Sequence, residues 1–240
     1  MDIVSALHAD EGVTCFVGAG GKKTTMYHLA ERVARAIVTN TVRIPLFDPS
    51  VEEVVLAEDP ATVPREVEAR PLGIVRAQEG DDRYQGYEPE MIDRLAASTA
   101  DPILVKADGA RMRRFKAPGQ GEPQLPTSTT TVVPIASVHV VGEPLDDRLV
   151  HRVDRVAELT GLSPGDTITT DDVATVLAST QGGMKAVPAN ARVVPLLNMV
   201  DTSALAETAE AIATAIHAKT TVERVVLAEM RASSPLVDIV

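Results

Sequence analysis

Aromatic side chains are nearly missing from this chain: three Phe, three Tyr and no Trp among 240 residues. The core must therefore be filled by Val, Ala, Leu and Ile, a composition suited to a parallel sheet covered by helices on both faces. With a single cysteine, Cys15, the chain can form neither an intramolecular disulfide nor a thiolate cluster for zinc or iron–sulfur. Lying inside an apolar run, Cys15 reads as a small core residue. No apolar run approaches the roughly 20 residues of a membrane-spanning helix. The opening MDIVSALHADEG lacks the basic and apolar regions of a secretory signal, so a soluble, cytoplasmic protein is expected. Positive charge is also in deficit, 23 Lys and Arg against 34 Asp and Glu, which argues against a broad nucleic-acid surface. What remains is a 45% hydrophobic chain, too apolar to be disordered. It is long enough for one α/β domain over residues 1–240.

The stretch VTCFVGAGGKKTT, Val13 to Thr25, carries the first chemical signal. An apolar strand stops at Gly18, passes through Ala19, Gly20 and Gly21, and leads through Lys22, Lys23, Thr24 and Thr25 into a helix expected over Met26–Ala36. Backbone N–H groups, a helix N-terminus and a lysine at such a turn suit a nucleotide phosphate. The spacing is shorter than G-x-x-x-x-G-K-[ST] and follows G-x-x-G-K, with Lys22 as the phosphate lysine and Thr24 one place late for magnesium. A register with Lys23 as the phosphate lysine fits the pattern too.

Further along, Ile103 to Val105 reads as an apolar strand leading to Asp108, the position from which a strand end delivers a carboxylate to a cation beside a phosphate loop. Asp108 and Thr24 are thus the candidate metal ligands. The segment Arg111–Pro126 is rich in proline, glycine and positive charge, and Lys116 in it is a candidate to meet a transferring phosphoryl group or an anionic substrate. Thr39, Asn40 and Thr41 end a second core strand and are weaker candidates for phosphate or metal. The signal turns helical over 146–180, which reads as a small helical insertion between strands. Arg192–Leu197 is a strand ending in Asn198 and Asp201, three apart like the base-reading residues of N-K-x-D, with Met199 at the lysine position. Asp201 also suits an N-cap for a helix over Ser203–Ala218. The fold class expected is three-layer α/β with a mostly parallel sheet, P-loop NTPase-like.

FVGAGGKKTTMYHLA, the later ADGA, FKAP and GEPQLP, VHRV at 150–153 and PLLNMVD near the end resemble, in that order, the YqeC-type proteins, accessory proteins for selenium-dependent molybdenum hydroxylases. The resemblance implies a P-loop-like α/β fold and a role in maturing a molybdenum hydroxylase or its labile selenium cofactor, with that hydroxylase or its maturation proteins as partners; the glycine loop adds ATP or GTP with Mg2+ as the expected cofactors. It marks Gly18 to Thr24, Asp108 to Ala110, Lys116, Ala117, Pro118, Asn198 and Asp201. This chain departs from the family pattern at Lys23, where a threonine is usual, at Lys106, where an acidic residue is usual, at Met199, and near Gln120-Gly121, where a histidine is usual. The short loop is also similar to the ATP loop of Mur-type ligases, which makes an ATP-dependent ligase or kinase acting on a small acid one alternative. A nucleotide-switched metallochaperone without catalysis is another.

Overall fold

The computed structural model describes residues 1–240, the side chain of Asp48 excepted. Nine strands form the main path of a sheet: β1 (Val13–Gly18), β2 (Ile37–Asn40), β3 (Glu53–Leu56), β4 (Leu72–Val75), β5 (Ile103–Lys106), β6 (Thr129–Ser137), β7 (Leu196–Asn198), β8 (Val226–Ala228) and β9 (Leu236–Ile239). Their spatial order is β9-β8-β7-β6-β1-β5-β2-β4-β3, with Arg192–Val193 pairing beside β6. Every pairing is parallel except β8 with the edge strand β9. The helices are α1 (Ile3–Ala6), α2 (Lys22–Ala30), α3 (Val63–Glu66), α4 (Pro89–Ser98), α5 (Val153–Thr160), α6 (Thr170–Ala178) and α7 (Ser203–Lys219).

The residues of β1 show why the sheet is central. Side chains alternate across a strand, so Phe16 enters one cluster with Met26 and Leu29 of α2 and Ile3 of α1. Val13, Cys15 and Val17 face the other way, against Ile92 and Leu95 of α4. Val13 to Val17 are all buried, as a strand covered on both faces must be. The second face continues past β6: Ala136, Leu197 and Leu227 share a cluster with Val156 of α5, Val173 and Leu177 of α6, and Ile212 and Ile216 of α7. At roughly 1.5–3 kcal/mol for each fully buried aliphatic side chain, these faces dominate the folding energy. The helices expected over 146–180 therefore share a core with the sheet. Among the described residues, no helix is long and apolar enough to cross a membrane.

Several local expectations are corrected. The loop helix begins at Lys22, not Met26, because Gly21 turns into it in the left-handed region at φ 116°. It ends at Ala30, where the Arg32 and Val33 amides both fold back on the Leu29 carbonyl. The polar stretch 78–87 contains a hairpin, Gln78–Glu79 with Arg83–Tyr84, which pairs with Ile44–Pro45 and is held by Tyr84 packing edge-on against Phe47 at 5.3 Å. Thr39 and Thr41 donate to the carbonyls of Ile74 and Gln124, and the Asn40 amide donates to that of Val42. All three satisfy backbone groups.

Asp201 does not cap α7. Thr202 does, its hydroxyl accepting from the Leu205 amide at 3.2 Å. Losing such a cap costs about 1 kcal/mol, which for a chain of this size is a Tm change of about 2–4 °C. Thr202→Ala should lower Tm by that amount in thermal unfolding, whereas Asp201→Ala, with its exposed carboxylate, should change it by less than half as much.

Candidate functional site

The sequence leaves β1 for α2, which leads to strands on one side, while β6 continues toward β7 and β8 on the other. The order of strands thus reverses between the neighbours β1 and β6, and the crevice beyond their carboxyl ends is where an open α/β sheet takes a ligand. The glycine loop, Asp108, Ser137 and Asn198 all follow or end strands at that edge.

Three glycines make the loop possible. A Cβ on Gly18 would lie 2.3 Å from the Ile135 carbonyl oxygen, one on Gly20 2.4 Å from the Ser137 amide nitrogen, and one on Gly21 2.3 Å from the Asn198 side-chain nitrogen. The loop is pressed onto β6 and β7 so closely that its own amides are used. Gly18 donates to Asp108 Oδ2 at 2.8 Å, Ala19 to the Ile135 carbonyl at 2.9 Å and Gly20 to the Arg113 carbonyl at 3.2 Å. The amides left to face a ligand are those of the first turn of α2, which have no intrahelical partner. There the helix dipole adds partial positive charge.

Around this turn the structure gathers Lys22, Lys106, Lys116 and Asp108, all buried. Lys22 Nζ lies 2.8 Å from Asp108 Oδ1 and also donates to the Gly18 carbonyl. Lys116 Nζ lies 2.9 Å from Asp108 Oδ2 and donates to the Gly109 carbonyl and Glu122 Oε2, both at 2.6 Å. Arg152 closes the chain of charges, donating to the same Glu122 oxygen at 2.6 Å. Lys106 donates to the Arg43 carbonyl at 2.8 Å. Four cationic side chains thus face two carboxylates.

The imbalance shows in the proton affinities. Burial, reinforced by Lys22 and Lys116 and only partly offset by Asp108, pulls Lys106 down to about 7. Burial and Lys116 also lower Lys22, against the pull of Asp108. Burial opposes ionisation of Glu122, yet the Arg152 hydrogen bond and Lys116 hold it at about 2. Burial, Arg152 and Lys116 depress His151 to about 4. The cluster is thus short of negative charge within the protein itself.

The cavity bounded by Gly18, Asp108, Lys116, Pro118, Pro123 and the Gly182-Gly183 turn after α6 measures about 10 Å³, space for about one water. The space is too small for a phosphate group while Lys22 and Lys116 are seated on Asp108.

A resident cation does not fit. Both Asp108 oxygens are paired with ammonium groups, and among the described residues no three His, Cys, Asp or Glu side chains converge as a metal site. Thr24 is half-buried on the first turn of α2, and Thr25 spends its hydroxyl on the Gly21 carbonyl at 3.2 Å. Lys23, also half-buried, makes no ion pair among the described residues.

Asn198 sits beneath the loop. Its amide donates to the Gly20 carbonyl at 2.7 Å and accepts from the Met230 amide at 3.1 Å, so it braces the loop against β8. Asp201 stands outside, 3.3 Å from His139. Glu122, Arg152 and Lys185 were not singled out by the spacing of residues. Glu122 and Arg152 meet across 30 positions, and Lys185 reaches the Gly119 and Gln120 carbonyls from the turn after α6. Only the run GEPQLP hinted at Glu122.

A family model described as YqeC protein matches residues 14–154 of the chain. The chain is also 34% identical over 196 residues to "Uncharacterized protein YqeC" of Escherichia coli (strain K12), a match covering 78% of this chain and 75% of that protein. No solved structure matches the chain.

Two predictions test the charge imbalance. Below pH 7 Lys106 is charged in folded and unfolded chains alike, and the folded state bears the whole burial penalty. Between about 7 and its ordinary value of 10.5 the folded chain sheds the proton first and the penalty fades. Lys106→Met should therefore raise Tm by several degrees at pH 6 and by clearly less at pH 9.5. Asp108→Ala removes the counterion of two buried ammonium groups, a loss of about 3–5 kcal/mol. It should lower Tm by on the order of 10 °C, and inorganic phosphate should restore more stability to this variant than to the wild type.

Proposed function

The chain belongs to the YqeC protein family, and from that premise we propose that its glycine loop binds the phosphate groups of a nucleoside triphosphate, ATP or GTP, in support of molybdenum hydroxylase maturation. The maturation role is what resemblance to the family implies, and the phosphate site is what the geometry supports. One observation carries it: Asp108 holds Lys22 and Lys116 at 2.8 and 2.9 Å at the N-terminus of α2, as a phosphate oxygen would hold them.

On binding, Lys22 turns from Asp108 and the Gly18 carbonyl to the anion, and the amides of Gly21 to Thr24 close on its oxygens. The helix start and a full positive charge then act on the same group. Lys116 stays between Glu122 and the ligand, placed to neutralise charge on the outermost phosphate. A triphosphate carries magnesium of its own, with the Thr24 hydroxyl one side chain away from the first-turn amides. No step of this reading depends on the metal. Asn198 keeps the loop at its working height by tying Gly20 to β7 and β8.

The test is thermal unfolding with ATP, GTP or inorganic triphosphate, each with and without magnesium. A ligand at a hundredfold its Kd stabilises by about 2.7 kcal/mol, or about 5–10 °C here. The shift should vanish in Lys22→Met, whose fold is checked by circular dichroism, and should survive in Asp201→Ala if the phosphates rather than the base provide the affinity. No shift with any of the three ligands would overturn the phosphate site.

A further inference from the structure

The arginine segment beside the loop is left without a role by the phosphate site. Arg113 lies on the tight turn Ala110–Arg114, its amide bonded to the Ala110 carbonyl at 2.8 Å. Arg111 and Met112 stand at φ 46° and 61°, two successive non-glycine residues in the left-handed region. Such a residue is strained and persists only where surrounding structure enforces it. The enforcement is visible on both sides. The Arg113 carbonyl accepts from the Gly20 amide at 3.2 Å, the Arg114 carbonyl accepts from the Ser137 amide at 3.1 Å, and the Arg114 amide donates to the Leu149 carbonyl at 2.8 Å. The turn is a fixed projection from the rim of the glycine loop.

Its chemistry sets it apart from the rest of the surface. In a chain of formal charge −11, most Arg and Lys side chains find a carboxylate, yet Arg111, Arg113 and Arg114 make no ion pair or side-chain hydrogen bond among the described residues. Between them Met112 is 92% exposed, the most exposed of the large apolar side chains. A lone exposed methionine needs no explanation. One held out on a strained turn among three unpaired arginines has the composition of an interface anchor: an adaptable apolar centre ringed by positive charge.

We propose that the turn Ala110–Arg114 is a docking point for an acidic segment of a partner protein, with carboxylates pairing the three arginines and an apolar side chain resting on Met112. Charge complementarity selects the occupant. The acidic remainder of the surface repels a long polyanion, and no aromatic side chain lies in the turn to stack on a base, so nucleic acid is disfavoured. Three arginines and one methionine are too few to hold the chain on an anionic bilayer. A short acidic segment needs only the turn itself, and long-range attraction to an isolated positive patch speeds and orients its approach. Because the Arg113 carbonyl holds the Gly20 amide, the docked partner sits against the loop whose occupancy it can report.

The experiment is fluorescence anisotropy on the full chain at about 50 mM salt, with a labelled eight-residue peptide of glutamates around one central leucine. The triple variant Arg111→Gln, Arg113→Gln, Arg114→Gln should weaken binding at least tenfold and Met112→Ser about threefold. The double variant Arg65→Gln, Arg231→Gln, which removes two unpaired arginines elsewhere, should leave it unchanged. The guanidinium groups make no ion pair or hydrogen bond among the described residues, so the triple variant should keep the wild-type Tm; if it does not, because Arg113 and Arg114 are half-buried, the exposed Arg111→Gln alone is read in its place. Equal loss in the double variant, or no binding to the wild type, would overturn the proposal. So would a single-stranded oligonucleotide or phosphatidylserine vesicles binding more tightly through the same arginines, or a self-association of the wild type that the triple variant abolishes. Loss of a nucleotide-induced Tm shift in the triple variant, with peptide binding intact, would assign the arginines to the phosphate site and overturn it too. Failure of the phosphate site itself is read separately, through Lys22→Met.

Discussion

Asp108 is the residue on which the candidate site depends. Its carboxylate takes the Gly18 amide on one oxygen and two buried ammonium groups across both, so one side chain fixes the start of the loop and neutralises the lysines that would otherwise repel each other. Burying a charge without a partner costs several kcal/mol, and Lys22 and Lys116 could not occupy this place in its absence. The same arrangement makes the site responsive. A carboxylate is a modest substitute for a phosphate, with one negative charge instead of two or more and two oxygens instead of three. A ligand able to displace it meets lysines already desolvated and positioned, so part of the cost of ordering them has been met in folding.

The short loop follows from the same economy of space. With two residues between Gly18 and Gly21, the chain cannot arch over a polyphosphate. Instead it lies flat on β6 and β7, with the amides of Ala19 and Gly20 spent on neighbouring segments. Recognition is left to the first turn of α2 and to lysines arriving from three different strands or loops. Such a site reads negative charge well and shape poorly, because no wall of backbone encloses the ligand. On the phosphate reading proposed above, selectivity for a particular nucleotide would have to come from outside the loop, from the rim that includes Asp201 and His139.

The sequence made the sheet legible because a strand buried on both faces leaves a simple mark, an unbroken apolar run such as Cys15–Val17 or Ile103–Val105. The glycine loop was legible for a similar reason: glycines at a strand end before a lysine answer to local backbone demands. Asp108 was singled out from its place after a strand, and Lys22 and Lys116 from their own segments. Their pairing was not legible, since Lys22 lies 86 positions before Asp108 and nothing in either segment states that their side chains meet at 2.8 Å. The helix start was misplaced by four residues because Lys22 to Thr25 has little apolar periodicity, while the left-handed Gly21 that sets the start acts through φ alone. Thr202 and Asp201 were confused for another reason. Both side chains can cap a helix, and the choice rests on a one-residue difference in where the backbone turns.

Lys106 takes on physical meaning only in three dimensions. Lys106 ends β5 beside Asn40 of β2, and its ammonium lies close enough to Lys22 and Lys116 to share their repulsion. An acidic residue there would balance the cluster, leaving three cationic side chains, Lys22, Lys116 and Arg152, facing three carboxylates. Lysine tips the balance to an excess of positive charge that the protein cannot satisfy from within. The tension falls when Lys106 gives up its proton or when an anion enters, and near neutral pH these two routes compete. Occupancy of the loop and the protonation of a residue on the neighbouring strand are therefore linked: a ligand that brings negative charge draws a proton onto Lys106, and a rise in pH that removes the proton weakens the ligand's hold. On the phosphate reading proposed above, Lys106 thus couples anion affinity at the glycine loop to pH near 7.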